Sequence, residues 1–245
     1  MKIKLIVPAY KCADNIGKLI QSVVDQDYED WEIHIFCDNC EGSKRAAVIS
    51  KNLYSKDIQE KISICIYPKR VYALQNICIA MLFLQLSSED DFICGIIDGD
   101  DRLCNTKALS LISDSYSRGN HIVWTQYDRD DNGECVSSSL PSDADPYKYP
   151  WVSSHFRTFG SWVYDKISQY NFVDEDGNYF KRAYDQALML PMLHYCNKNG
   201  FATEFIPEVC YRYNHKGSST PNSEHSNGSY EYNLAKFIRG RGYVE

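Results

Sequence analysis

Short apolar runs alternating with helix-patterned stretches constrain this chain more than any other feature. Residues 3–7 (IKLIV), 31–37 (WEIHIFC), 62–67 (ISICIY), 92–97 (FICGII) and 121–127 are compact runs rich in β-branched and aromatic residues. Such runs read as buried strands. Between the first two, Ile16, Leu19, Ile20, Val23 and Val24 follow helical spacing behind a capping Asp14. Residues 46–53 and 74–86 read as further helices, the latter nearly without a polar face and so expected to be well buried. A helix through Leu109, Ile112 and Tyr116 follows Asn105 as its cap. Strand–helix alternation predicts an α/β fold with a mostly parallel central sheet and helices on both faces. Past residue 128 the pattern weakens. Residues 128–149 read as a loop or hairpin. Residues 161–170 and 185–199 read as helices, the second kinked at Pro191 and stopped at Gly200, and 208–213 reads as a strand. Residues 214–230 are polar and poor in core formers, and are expected to be mobile. No repeat or linker divides the chain, so a single domain over 1–245 is expected. Its parts are a first half at 1–128, a second at 129–213, and a C-terminal loop and tail at 214–245.

Open parallel sheets bind ligands beyond the carboxyl ends of their strands. Acidic residues gather there: Asp38 after the second strand, and Asp98, Asp100 and Asp101 after the fourth. Three carboxylates within four residues repel one another, and a divalent cation removes the conflict. Hard oxygen donors suit Mg²⁺ or Mn²⁺, and Gly99 would let a ligand approach the backbone. The bland alternative is a turn whose acids cap a helix or face water.

Composition removes several other classes. The 245 residues carry a net charge of −7, which gives no support to a nucleic-acid-binding surface. No apolar stretch is long enough to span a bilayer, although peripheral attachment stays open. MKIKLIVPAY lacks the small-residue cleavage site of a secretory signal. There are ten cysteines, and Cys37, Cys65, Cys94 and Cys210 fall within apolar runs. Free buried thiols in a cytoplasmic protein account for them best. Cys37 and Cys40 form one C-x-x-C with no second pair to complete a zinc site.

Three segments together carry a family resemblance: LIVPAYK at 5–11, SVVDQDYEDWEIHIFCD at 22–38 and ICGIIDGDDRL at 93–103. In order and spacing, with Gln26, Tyr28, Trp31, Glu32 and Ile33 as the most specific piece, they resemble family 2 glycosyltransferases. Tyr184-Asp185-Gln186 and the run from Tyr211 to His215 extend the match more loosely. The resemblance implies a Rossmann-like domain of GT-A type. It also implies a nucleotide-sugar donor (a UDP-sugar first), a Mn²⁺ or Mg²⁺ ion, and inversion at the anomeric carbon. Pro8, Ala9 and Tyr10 would line the nucleobase pocket and Asp38 would accept a hydrogen bond from the base. Arg70 and Asn76 would lie near the nucleotide, Asp98 and Gly99 at the ribose, and Asp100 at the metal, with His215 as a further metal or phosphate contact. Asp185 would be the general base, although Asp is also a good helix cap. The chain departs from the family pattern at Asn39 and Tyr184, where acids are usual, and at Gln75, where Arg is usual.

The acceptor would be a saccharide, a lipid-linked glycan, a protein or a small molecule. The aromatic segment 151–162 precedes the proposed base, and His155 and Trp162 are its acceptor candidates; the same rings also read as core. Rival readings are a nucleotide-sugar-binding module without catalysis, a sugar-phosphate nucleotidyltransferase, and a dehalogenase-type phosphatase. The nucleotidyltransferase needs a Gly-rich basic loop after strand one, which Lys11-Cys12-Ala13-Asp14 is not. The phosphatase normally carries its acidic motif on the first strand.

Overall fold

The structure, a computed structural model, describes residues 1–131, 134–215 and 229–245. Most of the expected mobile stretch 214–230 lies outside the described residues. The elements run β1 (Ile3–Ala9), α1 (Ile16–Val24), β2 (Trp31–Cys37), α2 (Glu41–Lys51), α3 (Lys56–Glu60), β3 (Ile62–Ile66), α4 (Tyr72–Leu86) and β4 (Ile93–Ile96). There follow β5 (Arg102–Leu103), α5 (Ala108–Ser117), β6 (Ile122–Arg129), β7 (Arg157–Gly160), α6 (Ser161–Tyr164), α7 (Tyr184–Asn199), β8 (Thr203–Tyr213) and α8 (Tyr230–Arg241). One eight-stranded sheet joins both halves, in the order β3-β2-β1-β4-β7-β6-β8-β5. β1, β2, β3 and β4 pair in parallel, as do β6 and β8, while β7 runs antiparallel between β4 and β6.

The continuous apolar runs make sense in this setting, because the central strands are covered on both faces. On one face α1 buries Ile16, Leu19, Ile20 and Val23, packed with Leu109 and Ile112 of α5. On the other, Ile77, Met81 and Leu84 of α4 meet Leu188, Met192 and Leu193 of α7.

Several expectations need correction. α4 is buried on one side only: Leu82, Phe83 and Leu86 are 59, 54 and 81% exposed. Cys65 is exposed rather than core, because β3 is an edge strand. Asp14 does not cap α1, whose N-cap is Asn15 without a side-chain bond. Asn105 accepts the Lys107 N–H at 2.9 Å, one turn before α5 begins. The helix expected at 161–170 is only α6 followed by a 3₁₀ turn at Gln169–Phe172. α7 runs unbroken through Pro191 to Gly200, which takes φ +70° as its stop.

β7 and β5 escaped the sequence pattern because runs of four and two residues carry no period. β8 is longer than expected. It contains Pro207, and pairing with β6 jumps from Ile206–Thr125 to Val209–Gln126 around it. Proline has no N–H for the ladder, so an irregularity there is the physical outcome.

The register sets up the site. Ala9 lies beside Cys37 and Ile6 beside Ile96, so the chain leaves β1, β2 and β4 at the same sheet edge. β7 enters at that edge, because Arg157 pairs with Ile96. Gly160 pairs with Ile93, so the chain after β7 leaves at the opposite end.

Candidate active site

A cleft of about 740 Å³ opens above this edge. Pro8, Ala9 and Tyr10 reach it from β1, Asp38 from β2, and Asp98, Gly99 and Asp100 from β4. Arg70 and Asn76 border it beside α4, Asp185 from the first turn of α7, and His155, Arg157 and His215 from the second half. Twelve of the residues singled out from sequence therefore meet in one place. Trp162 does not: it sits at the far end of β7, its indole N–H donating to His121 Nδ1 at 2.8 Å. Its position suits packing, with Tyr116 edge-on at 6.2 Å.

At the first turn, Asp38 is nearly buried and accepts from the backbone N–H groups of Val71 at 2.6 Å and Tyr72 at 2.9 Å. It thus holds the loop that carries Arg70, whose guanidinium lies 3.6 Å from the centre of the Tyr10 ring. Tyr72, at φ +66°, is kept in a left-handed conformation by this arrangement. Asn76 donates to Phe36 O at 3.2 Å, leaving its buried Oδ1 without a protein partner.

The acidic turn after β4 is held from two sides. Gly99 N–H donates to Pro8 O at 3.2 Å, and a Cβ there would come within 2.8 Å of Cys12 Sγ and 3.0 Å of Ala9 Cα. What glycine admits at this point is the end of β1 rather than a ligand. Asp101 is buried. It accepts from Tyr211 Oη at 2.7 Å and from Asn214 N at 2.8 Å, tying the turn to β8. Burial, then the nearby charges of Asp100 and Asp98, push its carboxyl well above the usual range. Sequence reading gave it no separate role, because its partners lie more than a hundred residues away. Asp101→Ala should cost about 3 kcal/mol, since a buried hydroxyl and an N–H lose their acceptor. Urea denaturation checks this, and Asp101→Asn should lose less.

Asp98 connects the turn to the base candidate. Its Oδ2 accepts from Arg157 Nη2 at 3.2 Å, and its Oδ1 accepts from the Tyr184 hydroxyl. Arg157 is 1% exposed in its side chain, and also donates to Ser154 O and Tyr184 Oη. Burial opposes its charge, but Tyr184, Asp98 and Asp185 outweigh burial and keep the guanidinium charged. Burial raises the Tyr184 phenol far above its ordinary value, so the hydroxyl stays a donor. Asp185 is half-buried at the second residue of α7. Burial raises its carboxyl above the usual range, and Arg157 only partly opposes this. It is not the N-cap, a position taken by Ala183 at φ +49°.

The second half supplies an aromatic wall. His155 stacks on Tyr211 at 4.7 Å and on Tyr213 at 5.2 Å. Burial and then the Arg157 charge hold its imidazole well below its ordinary pKa, so it is neutral near pH 7. Trp151, the first residue of the aromatic segment, also borders the cleft, as do Lys181, Arg182 and Tyr232, which nothing in the local sequence marks.

The residues fit a divalent ion. Among the described residues, Asp98, Asp101 and His155 bring potential ligand atoms within 4.8 Å of one another. Asp100 borders the cleft beside them. His215 Nε2 lies 3.4 Å from Asp131 Oδ2, and neither Asp100 nor His215 belongs to the three-residue group.

The mixed sheet with helices on both faces has the GT-A fold. The chain belongs to glycosyl transferase family 2, whose sequence pattern matches residues 4–166. No curated protein matches the chain significantly. Among solved structures, S. aureus TarS 1-349 in complex with UDP-GlcNAc is similar with a TM-score of 0.67 at 13% identity, over 97% of this chain and 65% of that one. The same S. aureus protein in complex with UDP has a TM-score of 0.63 at 14% identity, over 87% and 60%. A mannosyltransferase from Pyrobaculum calidifontis, in complex with GDP-Man and Mn²⁺, has a TM-score of 0.59 at 14% identity, over 96% and 60%. The chain spans 60 to 65% of the length of these three neighbours, and 37% of a further S. aureus TarS chain. Among the described residues, no helix is long and apolar enough to cross a membrane.

Proposed function

We propose that this chain transfers a sugar, with inversion, from a nucleotide-sugar donor to an acceptor hydroxyl, using Asp185 as general base. The observation that carries this is one cleft shared by the acidic turn after β4, the β1 and β2 termini, and the first turn of α7. A UDP-sugar is the proposed donor. The nucleobase would sit between Pro8–Tyr10 and Asp38 and the ribose at Asp98, while Arg70 and Asn76 flank the nucleotide. The UDP complexes of structural neighbours support that choice.

Asp100 and the Asp98–Asp101–His155 group are the residues proposed to hold Mn²⁺ or Mg²⁺, with His215 as an outer contact. A bound divalent ion supplies Lewis-acid neutralisation of the departing diphosphate. The rest falls to the chain's own side chains. The acceptor hydroxyl must lose a proton as its oxygen attacks the anomeric carbon, and an ionised Asp185 can take that proton. Arg157 and Tyr184, the residue next to this base in α7, both bond Asp98, which holds the acidic turn against the start of α7.

The acceptor is proposed to bind along the aromatic wall of Trp151, His155 and Tyr213, whose ring faces suit the apolar faces of sugars. A saccharide, a lipid-linked glycan or a protein glycan would all offer that surface. A cytoplasmic location is part of the proposal, and its support is the run of cysteines within apolar strand-like segments of the sequence.

A thermal-shift panel of nucleotides tests the proposal. UDP near a hundredfold excess over its Kd, with Mn²⁺, should stabilise the fold by about 2.7 kcal/mol, or roughly 5–10 °C for a chain of this size. A shift with GDP alone would reassign the base. No shift with any nucleotide would remove the transferase reading, and an equal shift in chelator would remove the metal.

A further inference from the structure

The C-x-x-C singled out in the sequence has no role in the transfer chemistry, and the structure pairs its second cysteine differently. Cys40 is the N-cap of α2 and is partly exposed. Its Sγ lies 3.2 Å from Ser43 Oγ and accepts the Lys11 N–H at 3.3 Å. Cys12, in the turn after β1, donates from Sγ to the same Ser43 Oγ at 3.4 Å, and its N–H donates there at 3.1 Å. One buried hydroxyl is therefore shared by two thiols that are 28 residues apart in sequence. Cys37 is fully buried in β2.

We propose that Cys12 and Cys40 form a peroxide-responsive thiol pair that closes to a disulfide across the turns after β1 and β2. Cys40 is the attacking sulfur. Burial would raise its pKa, but the Ser43 hydroxyl and the N–H groups of Ser43, Lys11 and Gly42 outweigh burial and lower it. Its thiolate attacks one oxygen of a peroxide. The S–O bond forms, the O–O bond breaks, and hydroxide leaves to be protonated as water. Burial raises the Cys12 thiol to about 11, so it attacks the Cys40 sulfur as its proton passes to the departing hydroxide. The S–S bond forms, the S–O bond breaks, and a second water departs. Two thiols are oxidised by two electrons and the peroxide is reduced.

The pair is placed to affect the cleft. Lys11 and Asn39, at φ +53° and +50°, hold the two turns in left-handed conformations directly beside Tyr10 and Asp38. Cys12 Sγ also supports the acidic turn, within 2.8 Å of where a Cβ on Gly99 would stand. Drawing Cys12 toward Cys40 removes that support and fixes the spacing of the Tyr10 and Asp38 turns.

The test treats the full chain with stoichiometric hydrogen peroxide, blocks remaining thiols, and maps peptides by mass spectrometry. The expected result is a Cys12–Cys40 cross-link, reversed by dithiothreitol and absent in Cys12→Ser and Cys40→Ser. UDP affinity of the oxidised wild type should fall about fivefold or more and return on reduction, with no peroxide effect in Cys12→Ser. A Cys37–Cys40 link, or oxidation of Cys40 without the cross-link, overturns the pairing. A mapped cross-link with unchanged UDP affinity overturns its effect on the cleft. Failure of UDP to bind the reduced protein would count against the proposed donor instead, and leaves the mapping result intact as the test of the pair.

Discussion

Asp185→Asn is expected to lower kcat by about 10²–10⁴-fold while UDP still binds. Asparagine keeps the size of the side chain at the second position of α7 but cannot accept a proton. The fold should not suffer. The folded-state pKa of Asp185 is raised above its unfolded value, so the ionised carboxylate costs stability at neutral pH. Replacing it with a neutral amide removes that cost, and the melting temperature should hold or rise. A helix-capping role would give the opposite pair of results: lower stability and near-normal turnover. The same shift fixes the sign of the pH profile. The base works ionised, so kcat/KM should fall as pH drops through a pKa above the usual carboxylate range, and this limb should vanish in Asp185→Asn. Initial rates from pH 4 to 8 with parallel melting curves read both effects.

Arg157→Met should destabilise the fold by about 3 kcal/mol, toward the lower end for a broken buried ion pair, because Asp98 retains 21% exposure. Methionine fills much of the space but bonds none of Ser154 O, Asp98 Oδ2 and Tyr184 Oη. Arg157→Lys should recover little, since one ammonium cannot reach three acceptors in different directions. Adding Asp98→Asn to Arg157→Met removes the orphaned carboxylate and should restore part of the loss. Urea denaturation of the singles and the double mutant gives the coupling energy. Additive losses would mean that the pair contributes no interaction of its own.

The parts of this fold that were legible in sequence are those whose signal is local. β1, β2 and β4 are covered on both faces, and a strand so placed reads as a continuous apolar run. α1 was legible because one face alone is buried. The C-terminal half was less so, because β7 is held by neighbours rather than by its own four residues. Arg157 looks like a solvent-facing charge until β7 is inserted beside β4. Tyr184 reads only as a departure from the family acid, yet its hydroxyl serves Asp98. Asp38 was expected to face a nucleobase; its nearest partners are two backbone N–H groups, a contact that no spacing rule reveals. Gly99 reads in sequence as a place where a ligand approaches the backbone, but what approaches there is the end of β1.

On the proposed function, the cleft at the β1, β2 and β4 termini binds a nucleoside diphosphate through a divalent ion. Diffraction at the manganese edge, from crystals grown with UDP and Mn²⁺, tests it most directly. An anomalous peak beside the Asp100 carboxylate, bridging to the diphosphate with uracil near Tyr10 and Asp38, is the predicted result. UDP bound without a peak, a peak remote from the 98–101 turn, or UDP seated outside the cleft would contradict it.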